Sequence, residues 1–138
     1  MIDVEAVRAV ARLSRVLERA CGDLSMAHYR VLAAVADGDE RASRVARRLA
    51  LGKPTISASV EALCRRGFLT REDVTEDQRA VTLRLTPAGS AVLHDVEVAM
   101  SERLAAVLAQ TARPAETSAA LSRLGAGIDR FVSQRVGT

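Results

Sequence analysis

The sequence is poor in aromatic side chains, which make up 2% of its 138 residues and include no tryptophan. Proteins that hold single-stranded nucleic acid stack its bases on such rings, so this class of partner is disfavoured. A core of alanine, valine and leucine instead favours closely packed helices over a sheet sandwich. Cysteine is also scarce, and Cys21 and Cys64 lack the paired spacing of a disulfide framework or a zinc site.

Long apolar runs and catalytic motifs are also missing. No stretch approaches the roughly 20 apolar residues of a membrane span, and charges interrupt the first ten residues, unlike a signal peptide. The sequence contains no glycine-rich phosphate loop, Ser-His-Asp set or metal-ligand cluster, and the carboxylates between Glu72 and Asp77 fall in a polar loop. We therefore predict a cytoplasmic protein that is not an enzyme, uses no cofactor, binds no metal and contacts no membrane.

Positive charge is concentrated in the middle of the chain. Residues 41–84 hold ten basic residues, nine of them arginine, against five acidic ones. The remaining residues hold ten basic and twelve acidic residues, so the formal net charge of +3 arises from the central segment alone. This distribution is typical of a module that binds a polyanion, although composition by itself fits a solvated basic surface equally well.

The spacing of apolar residues predicts six helices and one β-hairpin. The helices are expected at residues 3–20, 25–36, 42–50, 54–66 and 87–109, and from residue 114 onward. The third and fourth, separated by a short turn with Gly52, have the form of a helix-turn-helix. Residues 68–72 and 81–85 are expected to be strands joined by a polar loop. Asp3, Ser25 and Thr86 precede helices as N-caps.

Residues 51–89, LGKPTISASVEALCRRGFLTREDVTEDQRAVTLRLTPAG, resemble the centre of the MarR family of winged-helix transcription regulators. The shared features are a Lys-Pro-Thr start to the fourth helix, a glycine after its end, Asp-x-Arg in the hairpin loop and Leu-Thr-x-x-Gly after the second strand. The matching positions are Leu51, Lys53, Pro54, Thr55, Leu63, Gly67, Asp77, Arg79, Leu83, Leu85, Thr86 and Gly89. The flanking helices follow the same order, so the resemblance covers essentially the whole chain.

The resemblance implies a mainly α-helical fold with a small β-hairpin wing, in which a winged helix-turn-helix domain adjoins a helical dimerisation region. Residues 1–24 would be an N-terminal dimerisation helix, residues 25–89 the DNA-binding domain and residues 90–138 a C-terminal dimerisation region. Some apolar residues of the end helices would face a second subunit, drawn from Val4, Val7, Leu124, Ile128, Phe131 and Val132. Packing within a monomer fits the same periodicity.

Such a homodimer would bind double-stranded DNA at a pseudo-palindromic operator, with its recognition helices about 34 Å apart. The fourth helix would enter the major groove, since hydroxyls can bond phosphates or base edges and alanine can touch a thymine methyl group. We expect Lys53 to contact a phosphate. We expect the residues that follow it to form the exposed, DNA-facing side of the fourth helix. The predicted contacts on this helix are Lys53, Pro54, Thr55, Ser57, Ala58 and Ser59. Many MarR proteins have a larger polar residue in place of Ala58, which leaves the operator sequence open.

In the wing, the resemblance implies that Arg79 enters the minor groove, where narrow A/T-rich DNA attracts arginine. Asp77 would orient the Arg79 guanidinium by a charge-assisted hydrogen bond. Arg84 and Arg71, on the flanking strands, are expected at phosphates. Without the family context, Asp77 and Arg79 would be an ordinary exposed ion pair.

MarR-type repressors commonly release DNA when a small aromatic or phenolic effector binds between the dimerisation helices and the DNA-binding domain. The sequence places this crevice near His28, Tyr29, Arg12 and Arg15. Two alternatives stay open. One is a repressor that senses oxidants through Cys21, whose pKa a nearby Arg19 would lower. The other is a winged-helix protein-interaction module that does not bind DNA.

Overall fold

The structure, a computed structural model, describes residues 1–73 and 80–135, with Asp73 described by its backbone alone. Its elements are α1 (Val4–Ala20), α2 (Met26–Ala36), α3 (Ala42–Arg48), α4 (Lys53–Arg65), β1 (Leu69–Asp73), β2 (Val81–Leu85), α5 (Pro87–Leu108) and α6 (Pro114–Arg135). The predicted mainly α fold with one hairpin is confirmed. We refer to α2, α3, α4 and the hairpin as the central lobe, and to α1 and α6 as the end helices.

The three predicted N-caps are present. Asp3, Ser25 and Thr86 each accept a hydrogen bond from the backbone N–H three residues later. These bonds satisfy backbone donors that a helix leaves unpaired at its start. Thr86 also donates its hydroxyl proton to the carbonyl of Gly67, at 2.6 Å. One side chain therefore joins the end of α4 to the start of α5.

Helix α3 ends earlier than the sequence predicts, at Arg48 instead of Ala50. Ala50 has a φ of 54°, in the left-handed region, and this conformation cannot continue a right-handed helix. The N–H of Leu51 donates back to the carbonyl of Ala46 and closes the turn. The chain is thereby redirected into α4 within a few residues.

One apolar core fills the central lobe. Its most completely buried large side chains are Leu24, Leu32, Leu63, Leu83, Val31 and Val45. They come from α2, α3, α4, β2 and the turn before α2, so the helix-turn-helix and the hairpin share one centre. The first two-thirds of α5 add Leu93, Val96 and Met100 to the same core.

The hairpin is antiparallel and is attached to the segment before α3. Leu69 lies opposite Leu85, and Arg71 lies opposite Leu83. The N–H of Leu83 donates to the carbonyl of Glu40, and Arg41 forms a bridge with Thr82. Because the segment before α3 is bonded to β2, the base of the wing is fixed relative to the helix-turn-helix.

The end helices contain no buried residue. Helix α1 lies along α5, and α6 contacts α5 and α3. Five of the predicted interface residues are between 44% and 67% exposed, namely Val4, Val7, Leu124, Ile128 and Phe131, while Val132 is half-buried. A single chain therefore leaves most of this apolar set uncovered. None of the helices in the described ranges has both the length and the hydropathy of a membrane span.

Candidate nucleic-acid interface

The start of α4 forms an exposed, positively polarised surface. Gly52 is the N-cap residue and supplies no side-chain acceptor, so the first N–H groups of the helix have no side-chain partner there. Helix N-termini carry partial positive charge and attract phosphate. The predicted contact residues that are exposed on this helix are Lys53, Pro54, Thr55, Ser57 and Ala58.

Ser59 does not belong to this surface, and the sequence-based prediction that it is exposed is wrong. It is only 8% exposed. Ser59 lies three residues after Ile56 and four before Leu63, and both of these side chains are buried. Positions with this spacing share one face of a helix, so Ser59 lies on the packed face of α4.

A cleft of about 460 Å³ lies between α3, α4 and β2. Lys53 and Ser57 of α4 line it together with Arg47 of α3, and Val81 closes it at the hairpin. The cleft thus brings a second cationic side chain, Arg47, beside two predicted DNA contacts. The spacing of apolar residues in α3 predicts that Arg47 faces outward, but Arg47 is not among the predicted DNA contacts. Its position at the end of a short helix facing the turn before α4 was the available clue.

The two arginines on the described strands of the hairpin, Arg71 and Arg84, lie on opposite faces. Directly paired residues of an antiparallel hairpin point to the same side. Arg84 pairs with Thr70 and Arg71 pairs with Leu83, so the two exposed arginines project from different faces. They cannot both meet the same stretch of phosphates in the same way. The predicted minor-groove pair, Asp77 and Arg79, lies outside the described residues.

Arg48 is not free at the surface, although the periodicity of α3 predicts that it faces outward like Arg44 and Arg47. Its guanidinium donates hydrogen bonds to Asp37 and, at 3.2 Å, to Asp39. Its Nε lies 3.7 Å from a carboxylate oxygen of Asp129 on α6. The hydrogen bond with Asp37 is the main cause that raises the pKa of Arg48 above its ordinary value.

Comparison with known proteins agrees with this geometry. Residues 22–80, which include the helix-turn-helix and β1 and end before β2, match the model of the MarR family. A probable transcriptional regulator from Pseudomonas aeruginosa is 26% identical, with a TM-score of 0.68 over 90% of this chain and 96% of that one. Residues 22–80 therefore belong to the MarR family, and the chain as a whole has the fold of a winged-helix transcription regulator. The family match and the structural neighbours support a DNA-binding transcription regulator.

Other solved transcription regulators resemble this chain in fold at lower sequence identity. The repressor CouR, solved on a 23-mer DNA duplex, is 23% identical with a TM-score of 0.78, covering 91% of each chain. PcaV from Streptomyces coelicolor, solved with its natural ligand, is 24% identical with a TM-score of 0.69, covering 92% of this chain and 96% of that one. BpsR from Bordetella bronchiseptica is 24% identical with a TM-score of 0.72, covering 86% and 92%. No curated protein sequence matches this chain.

The MarR-family chain has an open cleft of about 440 Å³ between α2, α3 and α5. Its polar lining residues are Tyr29, Arg30, Asp37, Arg48 and Glu97. Tyr29 is the one predicted effector residue in this lining. Arg12 and Arg15 are instead exposed on α1, where Arg15 pairs with Glu18, and His28 is half-buried elsewhere on α2. The structure therefore does not bring the four predicted residues together.

Tyr29 connects α2 to α5 at the wall of this cleft. Its hydroxyl donates to a carboxylate oxygen of Glu97 at 3.2 Å. Burial, followed by the negative charge of Glu97, raises the pKa of Tyr29 to about 12. On its other side, Tyr29 borders a smaller and more apolar cleft of about 180 Å³ with Leu17 and Met100. The phenol thus stays protonated between two cavities.

Cys21 is packed into the core and is unsuited to sensing oxidants. It is 3% exposed, and its thiol lies 3.7 Å from the sulfur of Met100. Burial, reinforced by Glu18, raises the pKa of this thiol, although Arg30 lowers it in part. The prediction that its pKa would be lowered is therefore wrong. Redox-sensing cysteines need an accessible thiolate, which this environment disfavours.

Proposed function

We propose that this MarR-family protein is a dimeric repressor that binds a pseudo-palindromic duplex in the cytoplasm and leaves it when a small aromatic or phenolic molecule binds. The observation that carries the proposal is the exposed start of α4, where Lys53, Thr55 and Ser57 stand beside an uncapped helix N-terminus. Its position between α3 and the hairpin suits insertion into a major groove. The likeness to CouR on duplex DNA supports this geometry.

The proposed contacts divide between positioning and reading. Lys53 and Thr55 would bind phosphates, and Pro54 would preset the first turn of the helix. Ser57 and Ala58 would read base edges, whereas Ser59 is left out because it is buried. Arg84 would meet a phosphate beside the wing. The minor-groove role of Arg79, oriented by Asp77, remains a prediction from the family resemblance.

The proposed dimer rests on the exposed apolar side chains of the end helices. Val7, Leu124, Ile128 and Phe131 are all more than 45% exposed in one chain. Leu124, Ile128 and Phe131 share one face of α6 by their spacing, and exposed apolar faces of this kind mark interaction surfaces, so a second subunit is the proposed cover. We keep residues 1–24 and 90–138 as the dimerisation regions, with one refinement. Helix α5 packs into the core of the central lobe as far as Met100, so this part of the helix moves with the DNA-binding domain.

The proposed effector site is the cleft that holds Tyr29, Arg30 and Arg48. A neutral phenol and the Arg30 guanidinium at its wall suit an aromatic ligand with a carboxylate or phenolate group. The Arg48 guanidinium is already paired with Asp37 and Asp39. The natural ligand in PcaV and the regulation of BpsR by 6-hydroxynicotinic acid support an effector of this kind. By binding one arrangement of the lobes more tightly, the ligand would shift the population away from the form that matches DNA.

Fluorescence anisotropy with labelled duplex from the protein's own upstream region tests the DNA proposal. We expect affinity to fall steeply with salt, because bound phosphates release counterions. Lys53→Ala and Arg84→Ala should each lower the salt slope by about one, and Arg79→Ala should weaken specific binding by about tenfold or more. Arg123→Ala is the matched control, since it removes the same charge from exposed α6.

Two results would contradict the proposal. Absent binding, or binding that ignores salt and is equal in all variants, would favour the protein-interaction module. Protein refolded from denaturant, which carries no ligand from purification, makes either result decisive. Tight binding that is lost in Arg79→Ala but kept in Arg123→Ala would support a winged-helix DNA contact.

A further inference from the structure

Arg48 stands at the point where the central lobe meets α6. Two of its partners, Asp37 and Asp39, belong to the turn between α2 and α3 and lie within the lobe. The third, Asp129, belongs to an end helix. The lobe carboxylates take the two terminal nitrogens of the guanidinium, so Nε is the atom left beside Asp129. The rotamer of Arg48 is thus set by the lobe, and its remaining donor is directed to α6.

The surroundings of this ion pair leave room for movement. A cleft of about 380 Å³ separates α3 from α6, lined by the three arginines of α3 together with Asp129, Val132 and Ser133. Helix α6 has no buried residue, so little apolar packing fixes its angle to the lobe. Because few apolar contacts fix the angle between α6 and the lobe, the charged contact across the cleft has a larger share in fixing it than it would have in a packed interface.

Movement of α3 carries the recognition helix with it. Val45 of α3 and Ile56 and Leu63 of α4 are buried in the same core, and a short turn joins the two helices. Close-packed cores move as units. The distance and angle between α3 and α6 therefore set the orientation of α4 relative to the end helices.

We propose that Arg48 and Asp129 act as a positioning pair that holds the recognition helix at a defined orientation to the C-terminal helix. Arg48 then acts on DNA recognition through geometry and makes no DNA contact itself. The inference rests on the proposed function in one respect, since α6 must belong to the dimerisation region for its angle to set the spacing of two recognition helices. A looser pair would broaden that spacing.

Asp129→Asn is the main test, because it removes the contact to α6 and leaves the lobe carboxylates in place. Glu116→Gln is the matched control, since it makes the same charge change on the same helix at an ion pair with Arg113 outside the lobe. In hydrogen–deuterium exchange, we expect Asp129→Asn to raise exchange in residues 125–135 several-fold, with no change in Glu116→Gln. Both variants should unfold at the wild-type temperature.

DNA binding supplies a second measurement. It would not change if Arg48 and Asp129 only stabilised the fold. On duplexes whose half-sites are moved apart or together by one base pair, Asp129→Asn should lose about three- to tenfold in affinity for the natural spacing and discriminate less against the others. Arg48→Gln should lose affinity without lowering the salt slope, whereas loss of a phosphate contact lowers it by about one. The double variant should bind as Arg48→Gln does, because the two residues act as one unit.

The proposal is overturned if Asp129→Asn leaves both exchange and spacing preference unchanged. It is equally overturned if Arg48→Gln lowers the salt slope and its effect adds to that of Asp129→Asn. Failure of the proposed function is distinguishable, since wild-type protein would then bind no duplex. The exchange measurement would still report whether Arg48 and Asp129 fix α6 to the lobe.

Discussion

The central lobe and the end helices bury their apolar side chains to very different extents. In the lobe, Leu63 and Leu83 have no measurable exposure, whereas Leu124 and Phe131 on α6 are 47% and 57% exposed. Both regions are helical, and each contains a helix that begins at a side-chain N-cap, α2 at Ser25 in the lobe and α1 at Asp3 at the chain's start. Regular local structure is therefore no guide to which part of this chain is stabilised by its own core.

The difference separates two sources of stability. Burial of a leucine stabilises a fold by about 2 kcal/mol or more, and several elements of the lobe contribute such buried side chains. The end helices gain little stabilisation from burial within one chain. They therefore offer the surface that a second subunit would cover, and the lobe offers a rigid support for the recognition helix. Three experiments test this division.

The largest effect is expected from a matched pair of leucine truncations. Leu63→Ala should lower the free energy of unfolding by about 2–5 kcal/mol, because it leaves a cavity in the lobe. Leu124→Ala should cost less than about 1 kcal/mol in the monomer, but it should weaken self-association. Urea unfolding at several protein concentrations, with sedimentation velocity, measures both. If both variants lost the same free energy of unfolding in dilute monomer, α6 would have to pack within its own chain. The contrast between the lobe and the end helices would then be wrong.

A pair of glycine substitutions should give the next largest effect. A Cβ at Gly89 would lie 2.0 Å from the carbonyl oxygen of Phe68, so Gly89→Ala must displace backbone. We expect a loss of about 1–3 kcal/mol. Nothing lies within 4 Å of a Cβ at Gly125 in α6, where alanine should stabilise the helix by about 0.5–1 kcal/mol. Thermal unfolding distinguishes the two, and a destabilising Gly125→Ala would show that another backbone approaches α6 there.

The smallest effect concerns the contact between α2 and α5. The pKa of Tyr29 is raised to about 12, so its contribution to stability is full below pH 10 and is lost as the pH rises towards 12. Tyr29 is the single tyrosine and the chain has no tryptophan, so phenolate absorbance reports on this residue directly. The native protein should titrate near 12 and the urea-unfolded protein near its ordinary value of about 10.

Glu97→Gln is the control for this titration, because it removes the carboxylate that faces the phenol. The pKa should fall towards 10 while part of the rise, which comes from burial, remains. A native midpoint near 10 in the wild type would mean that Tyr29 is solvated and that the cleft beside it is more open than the structure has it.

Local chemistry made most of the secondary structure predictable. Helix periodicity, the caps at Asp3, Ser25 and Thr86 and the glycine after α4 act over a few residues, and all are confirmed. Even the misplaced Ser59 was within reach of the sequence, since its spacing from Ile56 and Leu63 assigns it to the packed face. The end of α3 was less accessible, because it depends on the left-handed backbone of an alanine.

The candidate sites were only partly predictable, because their groups come from distant parts of the chain. The sequence predicts a solvated Arg48, but in the structure α6 places Asp129 beside its guanidinium. The position of Cys21 at the end of α1 suggests an accessible thiol, but in the structure Met100 of α5 packs against it. The proposed effector cleft likewise gathers Arg30, Arg48 and Glu97 around Tyr29, and three of the four residues predicted for the effector site do not line it.

The sequence by itself determined where most helices and strands lie, that the central segment is basic, and that the fourth helix has the residue types of a recognition helix. These properties depend on neighbours within one or two turns of chain. Only the tertiary structure decided which arginines are free, which thiol is buried and which apolar faces stay uncovered. Burial and ion pairing depend on contacts between elements, and such contacts form only when the core has closed.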